Sequence, residues 1–301
     1  MILEADRLSH WYGSVLALND VSLALPPGIT GLLGPNGAGK TSFLRIAAGL
    51  VRPSGGSLRV LGENPWCHSR LAKRLGYCPE QDGFFEWMTG REFVRTLARL
   101  RGIGSDSAVE EALECVRLQE VANRAVRTYS RGMRQRLKIA QAIVHGPEFL
   151  ILDEPLTGTD PLVRQDLLEL IRKLGREGRS LLVSSHVLHE VEAMTSQIVV
   201  LHRGRLVAIG GVETIRGLID LHPHTVRIRT NRPREFAARL VHCEEVLELR
   251  IEENVLEART RCPNDFYSKL PRWALESGCA IEEITSEDDT LDAVFRYLTE
   301  R

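Results

Sequence analysis

The sequence has almost no net charge, no closely paired cysteines and no long hydrophobic segment. Its 39 basic and 40 acidic residues lack the basic excess that proteins coating nucleic acids carry. Its six cysteines include no CxxC pair, which argues against a zinc or disulfide scaffold and predicts reduced, mostly buried thiols. No apolar segment reaches the roughly 18–20 residues that span a bilayer. Because the acid Glu4 stands where a signal peptide carries positive charge, we expect a chain that is neither secreted nor integral to a membrane.

Hydrophobic residues make up 43% of the chain, enough for a core, and they form short apolar segments that alternate with helical patterns up to about residue 210. This alternation predicts an α/β fold with a mainly parallel sheet. The predicted strands cover residues 29–33, 149–152, 181–184 and 198–201, and the predicted helices include residues 40–50, 131–145 and 161–174. Segments near residues 3–9, 21–25 and 57–61 predict a separate antiparallel β patch, and residues 84–145 predict a helical subdomain.

The pattern changes after Gly210 and Gly211. Residues 211–220 are predicted to form a short helix, and His222-Pro223-His224 resembles a linker. From Thr225 the residues alternate as in a β-strand, and short, highly charged helical patterns follow. We therefore predict two domains, one over residues 1–222 and a small α+β accessory domain over residues 223–301.

A glycine-rich segment, GPNGAGKT, follows the first predicted parallel strand and opens a predicted helix. It fits the pattern G-x-x-x-x-G-K-[ST] of a phosphate-binding loop (P-loop) in the strand–loop–helix setting that the pattern requires. Glycines let the backbone turn its N–H groups toward phosphates, and the helix N-terminus adds positive charge. Lys40 can then reach the β- and γ-phosphates, and the Thr41 hydroxyl can bind Mg²⁺. The predicted nucleotide-binding residues here are Gly34, Pro35, Asn36, Gly37, Ala38, Gly39, Lys40, Thr41 and Ser42, and Lys40 is also predicted to be catalytic.

The predicted strand over residues 149–152 ends in two acids, Asp153 and Glu154. A carboxylate at a strand tip beside a P-loop can anchor Mg²⁺, which suits Asp153. Glu154 could polarise a water that attacks the γ-phosphate, as a general base. Taken alone, the two acids could equally cap a helix or lie in solvent, and it is the P-loop that favours the catalytic interpretation.

The segment YSRGMRQR, residues 129–136, resembles the signature motif of ABC transporter ATPases in the variant common in the ABC-2 export subclass. A P-loop alone would also allow a kinase, a GTPase or a helicase-like motor. A P-loop, a signature and an acidic pair in this order exclude those classes and are typical of ABC ATPases. The resemblance covers roughly residues 1–215. It implies a P-loop NTPase fold of the ABC type, ATP and Mg²⁺ as ligands, and ATP hydrolysis as the activity.

The resemblance implies roles for further residues. Tyr12 matches the aromatic residue that stacks on adenine, although its neighbour Trp11 could take that place. His186 matches the switch histidine that contacts the γ-phosphate. The segment GTDP, residues 158–161, resembles the D-loop, where family members usually read G-L-D-P. Within it Asp160 has two open roles, capping a helix and lying at the dimer seam.

The largest departure from the family pattern is at the Q-loop. Family members typically read G-Y-x-P-Q, whereas this chain reads GYCPEQ over residues 76–81. Glu80 stands at the family's glutamine position, and we assign it to the Mg²⁺ and nucleotide site. A one-residue shift would bring in Gln81 instead. An ionised Glu accepts hydrogen bonds but cannot donate them, so the network must differ in detail.

The family's ATPases work as head-to-tail dimers, in which each site combines the P-loop of one chain with the signature of the other. Ser130 and Gly132 would therefore contact ATP held by a second ATPase subunit, of the same or of a different kind. Closure of the dimer would drive separate transmembrane permease subunits. These would dock on the Q-loop and on the aromatic segment FFEWM, residues 84–88, unless those aromatics pack inside the helical subdomain.

The resemblance thus implies the ATPase of an ABC-2-type exporter, cytoplasmic and held at the inner face of the cell membrane by its permease, with no nucleic-acid partner. The competing interpretation is a non-transport ABC ATPase in a cytosolic protein or nucleic-acid complex. Translation factors of the family usually carry two ATPase halves, and DNA-associated members insert long coiled coils; this sequence has neither. Residues 223–301 resemble the C-terminal extensions of export ATPases, and DTLDAVF, residues 289–295, resembles their S-L-E-D-V-F ending.

Overall fold

The computed structural model describes residues 1–66, 68–214 and 224–286. Two compact units divide the chain, Met1–Val212 and Glu213–Arg301. The boundary predicted at residue 222, most of the helix predicted over residues 211–220 and the motif at residues 289–295 lie outside the described residues. Among the described residues, none of the helices combines the length and the hydrophobicity that a membrane span needs.

The first unit is built around a six-stranded sheet. The described part of this unit has nine strands in two sheets: β1 (Leu3–Tyr12), β2 (Val15–Leu25), β3 (Ile29–Leu33), β4 (Gly55–Val60), β5 (Leu75–Cys78), β6 (Phe149–Leu152), β7 (Ser180–Ser185), β8 (Gln197–His202) and β9 (Arg205–Gly211). The large sheet has the order β5-β6-β7-β3-β8-β9, and only the β8–β9 pair is antiparallel. Both β6 and β7 are buried along their whole length. Their sequences are therefore continuous runs of apolar or small polar residues and do not alternate between apolar and charged positions. The predicted mainly parallel sheet is confirmed.

Strand β5, at the edge of this sheet, was not predicted. It is only four residues long and contains Gly76, which weakens the strand pattern. A side chain at Gly76 would collide with the backbone oxygen of Ala142, so the glycine lets the strand approach a neighbouring helix. The tight packing that requires this glycine is not visible in the sequence.

The remaining strands, β1, β2 and β4, form a separate antiparallel sheet in the order β2-β1-β4. This confirms the antiparallel patch predicted from three short segments. The inward-facing residues of these strands share one hydrophobic core with Phe43 and Leu44 of the helix that follows the P-loop. The small sheet therefore covers the helix on which the P-loop is built.

Seven helices complete the described part of the first unit: α1 (Lys40–Ala47), α2 (Ser69–Ala72), α3 (Gly90–Leu100), α4 (Asp106–Cys115), α5 (Arg131–Ile143), α6 (Pro161–Arg176) and α7 (Leu188–Met194). Helices α3 to α5 lie between β5 and β6 in the chain and form the predicted helical subdomain. Their N-caps, Thr89, Ser105 and Ser130, each accept a hydrogen bond from a backbone N–H in the first turn, which satisfies donors that have no partner inside the helix. Helices α1 and α5 end a few residues earlier than predicted, and α6 ends two residues later.

The described part of the second unit is a four-stranded sheet with two helices. The elements are β10 (His224–Thr230), α8 (Pro233–Leu240), β11 (Glu248–Glu252), β12 (Val255–Thr260), α9 (Pro263–Ser277) and β13 (Ile281–Ser286). The strand order β11-β12-β10-β13 is antiparallel throughout, which together with the element order makes a ferredoxin-like β-α-β-β-α-β unit. The predicted α+β class is confirmed, although His224 begins β10 and is not part of a linker.

Both helices of this unit lie on one face of the sheet. Phe236 of α8 and Phe266 of α9 are fully buried in a core with Val226 and Ile228 of β10. The other face carries cross-strand ion pairs, Arg227–Glu257 at 3.2 Å and Arg259–Glu248 at 3.0 Å. Only five of the 39 basic residues of the chain are lysines. The planar guanidinium suits such pairing better than the ammonium of lysine, so this face accounts for part of the excess of arginine.

The cysteines depart from the prediction of mostly buried thiols. Of the five described cysteines, all of them free, only Cys78 is buried and Cys262 is exposed, while the other three are half-buried. Burial raises the pKa of the Cys78 thiol to about 12. Three of these cysteines lie at helix ends, which are near the surface: Cys115 is the last residue of α4, Cys262 precedes the first turn of α9, and Cys279 follows the end of α9.

Phe266 and Tyr267 offer a matched pair for testing the core of the accessory unit. Phe266→Ala removes a fully buried ring and should lower the unfolding free energy of this unit by about 3–5 kcal/mol. Tyr267→Ala removes a ring that is 37% exposed and should cost less than about 1 kcal/mol. Hydrogen exchange of peptides within residues 224–286, read separately from those of residues 1–212, measures both. Equal losses of protection in the two variants would contradict this core assignment.

Candidate functional site

The P-loop connects β3 to α1 and brings backbone close to backbone. A Cβ at Gly34 would lie 2.5 Å from the carbonyl oxygen of Leu201, and one at Gly39 would lie 2.5 Å from that of Ala17. Gly39 is also the N-cap of α1 with φ +100°, and among the described residues no side chain caps this helix. The N–H groups of the first turn are therefore available to an anion, in the field of the helix dipole.

Lys40 is the first residue of α1, and its ammonium group is buried. Nζ donates to the carbonyl oxygens of Gly34 at 2.6 Å and of Pro35 at 3.2 Å. The same atom lies 3.1 Å from Oε1 of Glu154, and both side chains are at most 7% exposed. The structure thus brings together two residues that the sequence placed more than 100 positions apart.

Glu154 is held on several sides. Its Oε2 accepts hydrogen bonds from the Thr157 hydroxyl and from the His186 ring, with Nδ1 of His186 at 2.9 Å. Its backbone N–H donates to the Ser184 hydroxyl at 2.8 Å. Its φ of +47° is unusual for a residue with a side chain, and such a conformation persists where the surroundings impose it, often at functional sites. The predicted base, switch histidine and P-loop lysine therefore form one cluster.

Asp153 is 1% exposed, and it lies beside this cluster. Its Oδ1 accepts a hydrogen bond from Ser184 at 2.8 Å, while Oδ2 has no hydrogen-bond partner among the described residues. The pKa of Asp153 is raised, chiefly by burial and further by the carboxylates of Glu80 and Glu154, and the hydroxyls of Ser184 and Thr41 act in the opposite direction. A buried carboxylate with one unpaired oxygen and a hydroxyl nearby has the chemistry that Mg²⁺ prefers.

The loop after β5 contains Glu80 and Gln81, both exposed. Glu80 is close enough to Asp153 for its charge to raise the pKa of that carboxyl. Its backbone oxygen accepts a hydrogen bond from Nζ of Lys138 at 2.6 Å, and the same ammonium lies 3.2 Å from Asp82. Lys138 is buried in α5, so it fixes the backbone of this loop from the helix that begins within the signature segment.

The two aromatic candidates for stacking, Trp11 and Tyr12, are each a little over 40% exposed, and their surroundings differ. Tyr12 packs edge-on against the buried ring of His10, with ring centroids 4.5 Å apart, and acts electrostatically on Arg45 of α1. The Trp11 ring instead approaches Gly55 of β4. Of the two, Tyr12 therefore contacts the P-loop helix.

The signature residues Ser130 and Gly132 differ in exposure. Ser130 is exposed and caps α5, accepting from the N–H of Met133 at 3.3 Å. Gly132 is buried, and a Cβ there would lie 2.7 Å from Val163 of α6. Between them, the guanidinium of Arg131 lies against Gly158, where any side chain would collide with it. In the described part of the chain, neither Ser130 nor Gly132 hydrogen-bonds to Lys40, Glu154 or His186.

Asp160 caps α6, since its Oδ1 accepts a hydrogen bond from the N–H of Val163 at 3.0 Å. This confirms one of the two roles left open for it. Thr159, a departure from the usual family residue, is buried and its hydroxyl donates to the backbone oxygen of Leu156 at 2.7 Å. The departure at position 159 therefore stabilises the loop internally.

The aromatic segment over residues 84–88 divides between the interior and the surface. Phe84 packs against Phe93 with ring centroids 5.0 Å apart. Phe85 and Trp87 are 55% and 75% exposed. Glu86 between them receives two hydrogen bonds from the guanidinium of Arg134, at 2.7 and 2.8 Å, which fixes the segment to α5. Packing inside the helical subdomain is therefore confirmed for Phe84, whereas the docking role of the exposed Phe85 and Trp87 stays a prediction.

Several site residues were not predicted. Ser184 joins Asp153 to Glu154, Thr157 donates to Glu154, and Lys138 holds the loop of Glu80. Ser184 does end a predicted strand two residues before His186, so its position was a usable signal. Lys138 gave none, because a lysine inside a helical pattern normally faces solvent.

Two glycines with positive φ allow the effect of a side chain in the P-loop to be distinguished from the effect of backbone strain alone. Gly39→Ala adds a Cβ 2.5 Å from a backbone oxygen at φ +100°, so we expect ATP affinity to fall at least about tenfold and stability by about 1–3 kcal/mol. Gly178→Ala has φ +90° but nothing within 4 Å of its Cβ, so it should cost about 1–2 kcal/mol of stability and leave ATP affinity unchanged. Equilibrium ATP binding and thermal unfolding measure the two effects, and equal losses of affinity would contradict the role of Gly39.

Comparisons with known proteins agree with this geometry. The family model described as "ABC transporter" matches residues 18–157. The bacitracin transport ATP-binding protein BcrA of Enterococcus faecalis is 42% identical over 210 residues, which is 68% of each chain. ATP-binding cassette sub-family A member 7 of Rattus norvegicus is 34% identical over 294 residues, 94% of this chain and 14% of that one. A solved structure of an ATP binding subunit of an ABC transporter is 29% identical with a TM-score of 0.66, covering 73% of this chain and 94% of the other.

Proposed function

The chain belongs to the ABC transporter family of ATP-binding proteins, and we propose that it hydrolyses ATP with Glu154 as general base to power an export-type transporter. The observation that supports this most directly is the buried cluster in which one carboxylate contacts both Lys40, at 3.1 Å, and His186, at 2.9 Å. A base, a phosphate-binding cation and a ring that can contact the γ-phosphate are the groups that hydrolysis of a triphosphate needs.

The partners of Lys40 suggest how ATP prepares the base. The ammonium is bound to the P-loop carbonyls of Gly34 and Pro35 and to Glu154. Phosphate oxygens that enter the loop carry more negative charge than carbonyl oxygens, so they would replace the present partners of the Lys40 ammonium. Oε1 of Glu154 then becomes available to accept a proton from the attacking water, while Thr157 and His186 keep Oε2 in place. Nδ1 of His186 remains engaged as a donor to Glu154, and Nε2 can donate to a γ-phosphate oxygen when the ring carries both protons.

Asp153, Thr41 and Glu80 would hold Mg²⁺. The unpaired buried oxygen of Asp153 and the electrostatic effect of Glu80 on it support this assignment. When bound, the ion would neutralise charge on the phosphate oxygens. Tyr12, with its contact to the P-loop helix, is our candidate for the adenine platform, and Gly34 to Ser42 for the triphosphate cradle.

A second ATPase subunit and a separate transmembrane permease complete the proposed machine. Ser130, exposed at the start of α5, would meet ATP held by the second subunit, and Gly132 would support that contact from inside. The exposed Phe85 and Trp87 offer a docking surface for the permease, which would hold the chain at the inner face of the cell membrane. The relative named for bacitracin transport and the ABC-2-like signature support a transporter of the export type. We retain residues 1–222 as the ATPase domain and residues 223–301 as the accessory domain.

Glu154→Gln tests the proposed base. The variant keeps the shape of the side chain but cannot accept the proton, so kcat should fall by about 10²–10⁴-fold, while ATP remains bound and traps a dimer. Glu148→Gln, an exposed acid just before the same strand that pairs with Arg74 at 2.6 Å, is the matched control and should hydrolyse ATP at the parent rate. Phosphate release, ATP binding and gel filtration with ATP are the measurements. Turnover by Glu154→Gln at the parent rate would refute the assignment.

Glu80 and Gln81 are separated by parallel alanine variants. Because Glu80 acts on Asp153, Glu80→Ala should raise the Mg²⁺ concentration for half-maximal hydrolysis by about tenfold, the loss expected when a group around a metal is removed. Gln81→Ala should stay within about twofold of the parent. The measurement is ATP hydrolysis as a function of Mg²⁺ concentration, and the reverse ranking would place Gln81 in the site.

A further inference from the structure

Glu190, four residues after His186, is a carboxylate with a side chain that is 7% exposed. Each of its oxygens has a partner. Oε2 accepts a hydrogen bond from the Ser185 hydroxyl at 2.8 Å, and Oε1 lies 3.3 Å from Nε of Arg164. A buried charge is tolerated when it is paired and hydrogen-bonded, and removing one partner is strongly destabilising. These two contacts are therefore the reason why an acid can occupy this position in α7.

The first contact reaches the turn that carries His186. The Ser185 hydroxyl, besides donating to Glu190, accepts the backbone N–H of Val187 at 3.0 Å. The hydrogen bond between Ser185 and Val187 therefore closes a turn with His186 at its centre. The backbone oxygen of Ser185 accepts the N–H of Gly34 at 3.3 Å, so the same residue also touches the first glycine of the P-loop. The position of Glu190 thus sets the position of the turn from which the imidazole projects.

The second contact reaches the D-loop segment, residues 158–161. Arg164 lies in the first turn of α6, and its Nη2 donates to the backbone oxygen of Thr159 at 3.2 Å. Its backbone N–H donates to the oxygen of Asp160 at 2.9 Å. One guanidinium therefore forms an ion pair with the buried carboxylate of α7 and donates a hydrogen bond to the backbone of the D-loop segment.

We propose that Glu190 is a positioning residue that couples the D-loop segment to the catalytic histidine of the same chain. A displacement of residues 158–161, such as contact with a second ATPase subunit would cause, passes through Arg164 and Glu190 to the Ser185 turn and so to His186. The ring is then held against Glu154 only when the D-loop segment is in place. This inference rests on the proposed function, because it takes His186 to be part of the hydrolytic site.

Arg172 provides a matched control within the same pair of helices. It lies two turns further along α6, and its Nε donates to the backbone oxygen of Ala193 in α7 at 2.6 Å. It ties α6 to α7 as Arg164 does, but its bonds reach neither the Ser185 turn nor the D-loop segment in the part of the chain that the structure describes. A role of Glu190 limited to holding the two helices together would be shared by Arg172.

The experiment is a double-mutant cycle on the full chain with ATP hydrolysis, ATP binding and melting temperature as readouts. Glu190→Ala should lower kcat about tenfold or more with ATP affinity within about threefold of the parent, since the coupling acts on the chemical step. Glu190→Gln, which still accepts from Ser185, should recover part of the rate, and Arg172→Ala should keep the parent rate. In a His186→Ala background, Glu190→Ala should cause no further loss, because the two residues act as one unit.

Three results would overturn the coupling. The first is an equal loss from Glu190→Ala in the parent and in the His186→Ala background, and the second is the same loss from Arg172→Ala. The third is a loss confined to ATP affinity. If Glu190→Ala does not fold, Glu190→Gln measured in the two backgrounds decides in the same way. A His186→Ala variant that hydrolyses ATP at the parent rate would instead overturn the proposed site itself, and the coupling with it.

Discussion

The buried ion pair between Lys40 and Glu154 is the constraint on which the rest of the site depends. Two opposite charges lie 3.1 Å apart with little exposure to water, and the desolvation of each costs several kcal/mol unless its partners are in place. The P-loop carbonyls complete the shell of the lysine, and Thr157 and His186 complete that of the glutamate. Glu154 makes these contacts from a backbone with φ +47°, a conformation that persists where the surroundings impose it.

Features that a single segment encodes were predictable. The predicted bounds of β3 and the predicted start of α1 at Lys40 match the structure to the residue. Glycine spacing and an apolar segment define these elements and the P-loop between them locally. Asp160 as a helix cap is of the same kind. The contacts of Tyr12 and Trp11 were not predictable, because β1 contains irregularities that break simple alternation between His10 and Trp11. Lys138 was missed for a related reason, since its burial depends on a loop 58 positions away.

For the accessory unit, the fold class was predicted correctly but the order of the strands in the sheet was not predicted. Alternation from Thr225 and the short helical patterns indicated an α+β domain, and the structure confirms it. The ferredoxin-like order, however, depends on β10 pairing with both β12 and β13, and pairing between distant strands has no local signature. The charged face of the sheet was equally invisible, since the ion pairs join arginines and glutamates that lie on neighbouring strands.

Gly158 has a consequence for how the sequence can vary. Its φ of +68° lies in the left-handed region, which a residue with a side chain occupies at a cost of about 1–2 kcal/mol. The guanidinium of Arg131 fills the space that a side chain at position 158 would need, but Arg131 is exposed and the end of its side chain can turn into solvent. The backbone conformation of the D-loop segment, and not the neighbouring arginine, is therefore what reserves position 158 for glycine.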